Sequence, residues 1–190
     1  MDKIFSKAKT EQYYFYYVIA ETVMGWVGVA GNEQGVIRLI LPERRSEDVL
    51  EQLTSHIQSR ELLFRADEQF SSLVKRIQAY FEGKPIEFNK EKVNLSDCTL
   101  FQKRVLLKAR EIPYGEVRTY RWLAEQSGYP QAYRAVGGVM RMNPIPLIIP
   151  CHRIIGSKGQ LTGFSARGGV EMKRRMLTLE GVSLKDNQEL

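Results

Sequence analysis

Cysteine and histidine are scarce in this 190-residue chain: there are two of each, Cys98, Cys151, His56 and His152. A tetrahedral zinc site would need all four, including the adjacent pair Cys151 and His152, so no metal and no cofactor is expected. A disulfide between the two cysteines is conceivable, but an intracellular chain of this size keeps its thiols reduced. No run of about 18 uncharged apolar residues occurs, which argues against a membrane span. The first ten residues carry Asp2, Lys3, Lys7 and Lys9 around short apolar pieces and lack the features of a secretion signal. A cytoplasmic location is therefore expected.

What is present is enough for a packed core: 43% of the residues are hydrophobic. The net charge of +6 is unevenly placed. Residues 1–94 hold 13 Lys/Arg against 14 Asp/Glu, whereas residues 95–190 hold 15 against 8. The second half is thus the one suited to a polyanion, although an ordinary solvated surface explains the charge equally well.

The first half alternates strand-like and helix-like segments. Residues 13–19, 25–30 and 35–41 are apolar, β-branched or aromatic runs separated by turn residues, which predicts a three-stranded meander. Ser46 is placed to cap a helix reaching about His56, and Phe70, Leu73, Val74, Ile77 and Phe81 recur at helical spacing before Gly83. Residues 86–88 suggest an edge strand. Residues 89–97 are polar and read as a linker, dividing the chain into a scaffold domain (1–92) and a second domain (93–190).

The second domain reads as helical. Phe101, Val105, Leu106 and Ala109 line one helix that ends before Pro113, and Thr119 caps a second, short one through Gln126. A third, over residues 131–140, turns Ala132, Ala135, Val136, Val139 and Met140 inward and Arg134 elsewhere. A helix pair in a basic region suggests a helix-turn-helix. Its second helix is also rich in small residues (Ala132, Ala135, Gly137, Gly138), which fits either close approach to another surface or tight packing within the fold.

Chemistry concentrates in residues 143–153, where an apolar run ends at Pro150 and delivers Cys151, His152 and Arg153. A lone cysteine is most often a small buried hydrophobe. A nucleophilic one needs a base or a positive field, and His152 and Arg153 offer both. Neighbouring side chains on an extended chain point apart, so proton transfer from Cys151 to His152 would need a turn or a bridging water.

Residues 95–181 resemble the O6-alkylguanine-DNA alkyltransferases. The likeness runs through Ile112-Pro113-Tyr114-Gly115-Glu116, Thr119-Tyr120, Arg134-Ala135-Val136-Gly137-Gly138, Asn143-Pro144, Ile149-Pro150-Cys151-His152-Arg153, Leu161-Thr162-Gly163-Phe164 and Glu180-Gly181. The Pro-Cys-His-Arg core is the most specific part. The resemblance implies an α/β ribonuclease-H-like N-terminal domain with a small antiparallel sheet, followed by a mainly α domain with a helix-turn-helix. It implies irreversible, single-turnover transfer of an alkyl group from O6-alkylguanine in double-stranded DNA to Cys151, with O4-alkylthymine a further candidate substrate. His152 would act as base through a water and Glu180 would orient the imidazole. Tyr120 would donate to guanine N3, Ser165 would contact O6, and the main chain around Cys151 and Ile154 would read the exocyclic amine. Asn143 would tie the recognition helix to the active-site loop, and Met140 and Pro146 would wall the alkyl pocket. The helix bearing Ala135 and Gly137 would enter the minor groove while Arg134 fills the stack left by the flipped nucleotide. Lys103, Arg104, Arg121 and Arg141 are candidates for phosphate contacts. A monomer is expected, with cooperation on DNA left open.

Without the resemblance, Glu180 reads as an exposed helix-end carboxylate and Tyr120 as a core aromatic. Residues 164–169, Phe-Ser-Ala-Arg-Gly-Gly, depart from the family pattern by lengthening the loop after Gly163 and replacing its tyrosine by Phe164. Alternatives are a non-catalytic binder of alkylated DNA, in which the cysteine would be replaced, an alkylation-responsive regulator, and a cysteine hydrolase using Cys151, His152 and Glu180.

Overall fold

The computed structural model describes residues 14–55 and 63–183. Aromatic and β-branched side chains favour extended backbone, and the expected meander forms as β1 (Phe15–Thr22), β2 (Gly25–Asn32) and β3 (Gly35–Glu43), consecutive antiparallel neighbours. Residue 13 lies outside the described residues. A short strand β4 (Leu63–Arg65) pairs parallel to β1, so the sheet is mixed, in the order β3-β2-β1-β4.

Helix α1 (Ser46–Thr54) covers one face. Gly28 admits it, since a Cβ there would stand 2.4 Å from Val49 Cγ1. Ser46 is the first helical residue rather than the cap, which is Arg45 and makes no side-chain capping bond. His56, the expected helix end, lies outside the described residues. Helix α2 (Ser71–Phe81) covers the other face with Leu73, Ile77, Tyr80 and Phe81 buried.

Residues 86–88 form no strand, a correction to the expected edge strand, although Phe88 is buried. The segment expected as a linker docks on the edge of β3: Val36 N–H donates to Lys92 O (2.8 Å) and Asn94 N–H to Val36 O (2.8 Å), and Val93 bridges Val36. Gly35, at φ 136°, makes this possible, because a Cβ would fall 2.7 Å from the Lys92 carbonyl. An unpaired strand edge is otherwise free to pair elsewhere.

The rest is helical: α3 (Leu100–Arg110), α4 (Tyr120–Gln126), α5 (Tyr133–Arg141) and α6 (Gly169–Leu179), with a two-stranded parallel pairing of β5 (Arg118–Thr119) and β6 (Ile154–Ile155). Thr99 and Gln102 form a reciprocal capping box on α3, and Thr119 caps α4 by accepting from Trp122 N–H. Val136, Val139 and Met140 of α5 face the core as expected, but Ala135 is exposed, because it lies across the helix from that stripe. Leu39 N–H donates to Pro144 O (3.0 Å), so the β3 edge also receives the start of the cysteine-bearing segment. Among the described residues no helix is long and apolar enough to cross a membrane.

Candidate active site

The segment after α5 folds back through a series of tight turns. Asn143 holds both ends: its Nδ2 donates to Ile149 O (2.8 Å), and its Oδ1 accepts from Ile145 N–H (3.1 Å). Leu147 takes a left-handed backbone (φ 72°), which is costly for a γ-branched residue and is held by complete burial of its side chain. Pro150, at φ −80° and ψ 67°, forms an inverse γ-turn in which Cys151 N–H donates to Ile149 O (2.8 Å). A 3₁₀ turn, Cys151–Arg153, follows directly. The chain therefore does not pass Cys151 and His152 in extended form, and the turn required by the sequence reading is present.

All three residues of that turn are buried. His152 Nε2 donates to Glu180 Oε1 (2.7 Å), and Nδ1 makes no hydrogen bond to protein, which leaves its lone pair as the basic site. Glu180, at the C-cap of α6, is buried rather than exposed. Arg153 grips it from Nε (2.8 Å to Oε2) and Nη2 (3.1 Å to Oε1), while the Gly115 N–H donates to Oε2 (3.2 Å). Burial alone would raise the Glu180 pKa, yet the donors from His152 and Arg153 outweigh it and hold the carboxyl at about 2. Burial pushes the Cys151 thiol up, against the Asn143 side chain, the Lys173 charge and the nearby main-chain N–H groups. Burial likewise lowers His152, against the pull of Glu180. Thiol and imidazole therefore rest neutral.

Lys173 is fully buried and was missed in the sequence. Its Nζ donates to Ile154 O and Thr162 O and lies 5.8 Å from the centroid of the Tyr120 ring. Burial lowers its pKa to about 8, opposed by Cys151. A usable signal existed: Lys173 precedes Glu180 by seven residues, two helical turns, and shares a face with Met176, Leu177 and Glu180. A lysine on an apolar helix stripe is uncommon without a partner. The Tyr120 hydroxyl donates to Thr162 O (3.3 Å), so Tyr120, Lys173 and the carbonyl of Thr162 form one group beside the cysteine turn.

A cavity of about 330 Å³ opens beside Cys151, between β3 and the 164–167 loop, with Pro146, Phe164 and Ser165 in its wall. Met140 is not among its lining residues and packs in the core. Ser165 Oγ donates to Arg141 O (2.6 Å), and Arg167 pairs with Glu43 (3.0 Å) and Asp48 (3.4 Å), so the longer loop is anchored to the first domain. Around the corner, Tyr120, Arg134, Gly137, Gly138 and Gly163 line an open groove. Arg134 is exposed there, its guanidinium 5.9 Å from the Tyr133 ring. Arg104, Arg121 and Arg141 are exposed, while Lys103 is tied to Ser96 O (3.2 Å). Among the described residues no group of three or more His, Cys, Asp or Glu is arranged to hold a metal.

Known proteins resemble this chain over both of its halves. Residues 100–182 match the family described as 6-O-methylguanine DNA methyltransferase, DNA binding domain, and residues 13–95 its ribonuclease-like domain. A methylated-DNA–protein-cysteine methyltransferase of Methanosarcina barkeri is 38% identical over 170 residues, covering 90% of this chain and 99% of that protein. One of Sulfolobus acidocaldarius is 37% identical, covering 89% and 95%. The crystal structure of Mycobacterium tuberculosis OGT in complex with DNA superposes with a TM-score of 0.71 at 36% identity, covering 87% of this chain and 92% of that one.

Proposed function

Because the chain belongs to the methylated-DNA–protein-cysteine methyltransferase family, a family of DNA-repair enzymes, we propose that Cys151 is its alkyl acceptor and that each molecule acts once. The observation that carries this reading is the buried series Cys151, His152 and Glu180, with the 2.7 Å Nε2 to Oε1 contact fixing the tautomer and leaving Nδ1 free.

His152 Nδ1 takes the thiol proton, directly or through a water, and the thiolate attacks the alkyl carbon. The S–C bond forms as the C–O6 bond breaks, and the electron pair passes to the guanine. Tyr120 turns its hydroxyl from the Thr162 carbonyl to donate to N3 of the departing base, so negative charge does not accumulate on it. Lys173 holds Tyr120 and adds positive charge beside the sulfur. The resting pair is neutral, so the thiolate forms only as His152 takes the proton with the electrophile in place. The product thioether has no leaving group that water can displace, which accounts for a single turnover.

The substrate oxygen lies inside the duplex, so the nucleotide must rotate out, at a cost of a few kcal/mol that damage reduces. Exposed Ala135 with Gly137 lets the α5 backbone approach the minor groove, and Arg134 occupies the vacated stack. Ser165 and the main chain at Ile154 border the extruded base, and Pro146 and Phe164 enclose the alkyl group; Met140 supports that wall from the core. The first domain (1–92) supports and the second (93–190) binds DNA and reacts, as a monomer. O6-alkylguanine in double-stranded DNA is the substrate and O4-alkylthymine a candidate second one.

The test is incubation with duplex carrying labelled O6-methylguanine, followed by peptide mass spectrometry. Label on the Cys151 peptide, up to one equivalent and absent in Cys151→Ala, is the expected result. Repeated turnover, or label elsewhere, overturns the proposal.

A further inference from the structure

We propose that Tyr80 of the N-terminal domain is a positioning residue for alkyl transfer, its hydroxyl setting how firmly Glu180 holds the His152 imidazole. The inference rests on the roles of Cys151, His152 and Glu180 argued above.

The Tyr80 hydroxyl donates to Glu180 Oε1 at 2.9 Å, from a position one hundred residues earlier in the chain. That oxygen is the one to which His152 Nε2 donates (2.7 Å), and Arg153 Nη2 reaches it as well (3.1 Å). The three donors compete for the lone pairs of a single buried oxygen. A buried hydrogen bond to a charged group is stronger than a neutral one, and so is the effect of removing it. Tyr80 therefore limits both the charge that Glu180 presents to the imidazole and the rotation of the carboxylate.

The side chain is built for this task. Tyr80 is fully buried on α2 and meets Phe81, Phe88 and Tyr114 edge-on, with ring centroids 5.2, 6.0 and 6.3 Å away. Those contacts need only a ring; phenylalanine would supply them equally. The hydroxyl adds a donor aimed at the carboxylate. Burial and the Glu180 charge raise its pKa well above the ordinary tyrosine value, so it stays protonated and donates throughout the working range. The other charged or titratable groups around the carboxylate are His152 and Arg153 on the cysteine turn, Tyr114 before β5, Lys173 on α6, and Glu87, 3.8 Å from Arg153. Tyr80 is the member of this set that the first domain contributes from a helix, so docking of α2 is linked to the reactivity of the second domain.

Tyr80→Phe removes the hydroxyl and keeps the ring. The chain has two histidines, so an NMR titration of isotopically labelled histidine follows His152 beside a single other signal, without DNA. With one competitor gone, Glu180 stabilises the imidazolium more strongly. The His152 midpoint is expected to rise by roughly half to one pH unit, the upper figure being a tenfold change in its protonation equilibrium. The acid limb of the single-turnover methyl-transfer profile should rise with it, while affinity for the duplex stays unchanged. A His152 midpoint equal to that of the wild type overturns the proposal, even if the variant is less stable to heat. Wild-type protein that transfers no methyl group would defeat the functional reading instead, and the NMR titration would still decide the role of Tyr80.

Discussion

The ammonium of Lys173 lies 5.8 Å from the ring centroid of Tyr120, and both side chains donate to the carbonyl of Thr162. A buried cation is thus fixed against the residue expected to donate to the leaving base, with the Cys151 sulfur within its field.

Lys173→Met keeps the length and removes the charge. The thiol pKa should rise by about one unit and transfer at neutral pH should fall about tenfold. Iodoacetamide alkylation of Cys151 against pH measures the first, and single-turnover quench the second. An unchanged thiol midpoint would remove Lys173 from the chemistry.

The same residue carries a stability signature. Its folded pKa of about 8 lies below the ordinary 10.5, so its charged form disfavours the fold. That cost is fully present below pH 8 and disappears as pH rises through 10.5, an effect on the order of 3 kcal/mol. Urea midpoints should reveal this alkaline gain in the wild type and its loss in Lys173→Met.

For Glu180 it is the charged form that favours the fold, and stability again rises with pH. Its folded pKa of about 2 lies below the ordinary 4.5, so its stabilisation is present above about pH 4.5 and lost as pH falls toward 2. The loss should be on the order of 3 kcal/mol. Glu180→Gln should flatten that part of the curve in urea titrations while lowering the transfer rate at least a hundredfold.

Gly137→Ala separates fold from function on α5. The new Cβ would meet only Tyr120 ring carbons at 3.9 Å, ordinary contact, and replacing glycine within a helix is worth up to about 1 kcal/mol. The variant should therefore unfold at higher temperature yet bind duplex about fivefold more weakly, by anisotropy at fixed salt. Unchanged or tighter binding would contradict close approach of the helix backbone to DNA.

Arg134→Ala should slow transfer from duplex by at least tenfold. On a single-stranded oligonucleotide, which has no stack to refill, the variant should stay within about twofold of the wild type. Equal losses on both substrates would make Arg134 a general phosphate contact.

The sequence by itself determined the meander, the helices and the cap at Thr119, because period, turn residues and capping are local, whereas it left open whether Cys151 and His152 meet through a turn or a water. It also identified Cys151, His152 and the acidic partner Glu180 through a resemblance carried by contiguous motifs. It misjudged residues 86–88, whose apolar ends suggest a strand but which pair with no neighbouring strand, and the polarity of residues 89–97 does not reveal that the backbone edge of β3 receives Lys92 and Asn94. Only the tertiary structure decided that Glu180, Arg153 and Lys173 are buried, that Ala135 is exposed, and that Tyr80 reaches Glu180. Burial and shared hydrogen bonds arise between segments far apart in the chain, and these govern the protonation of the thiol and imidazole.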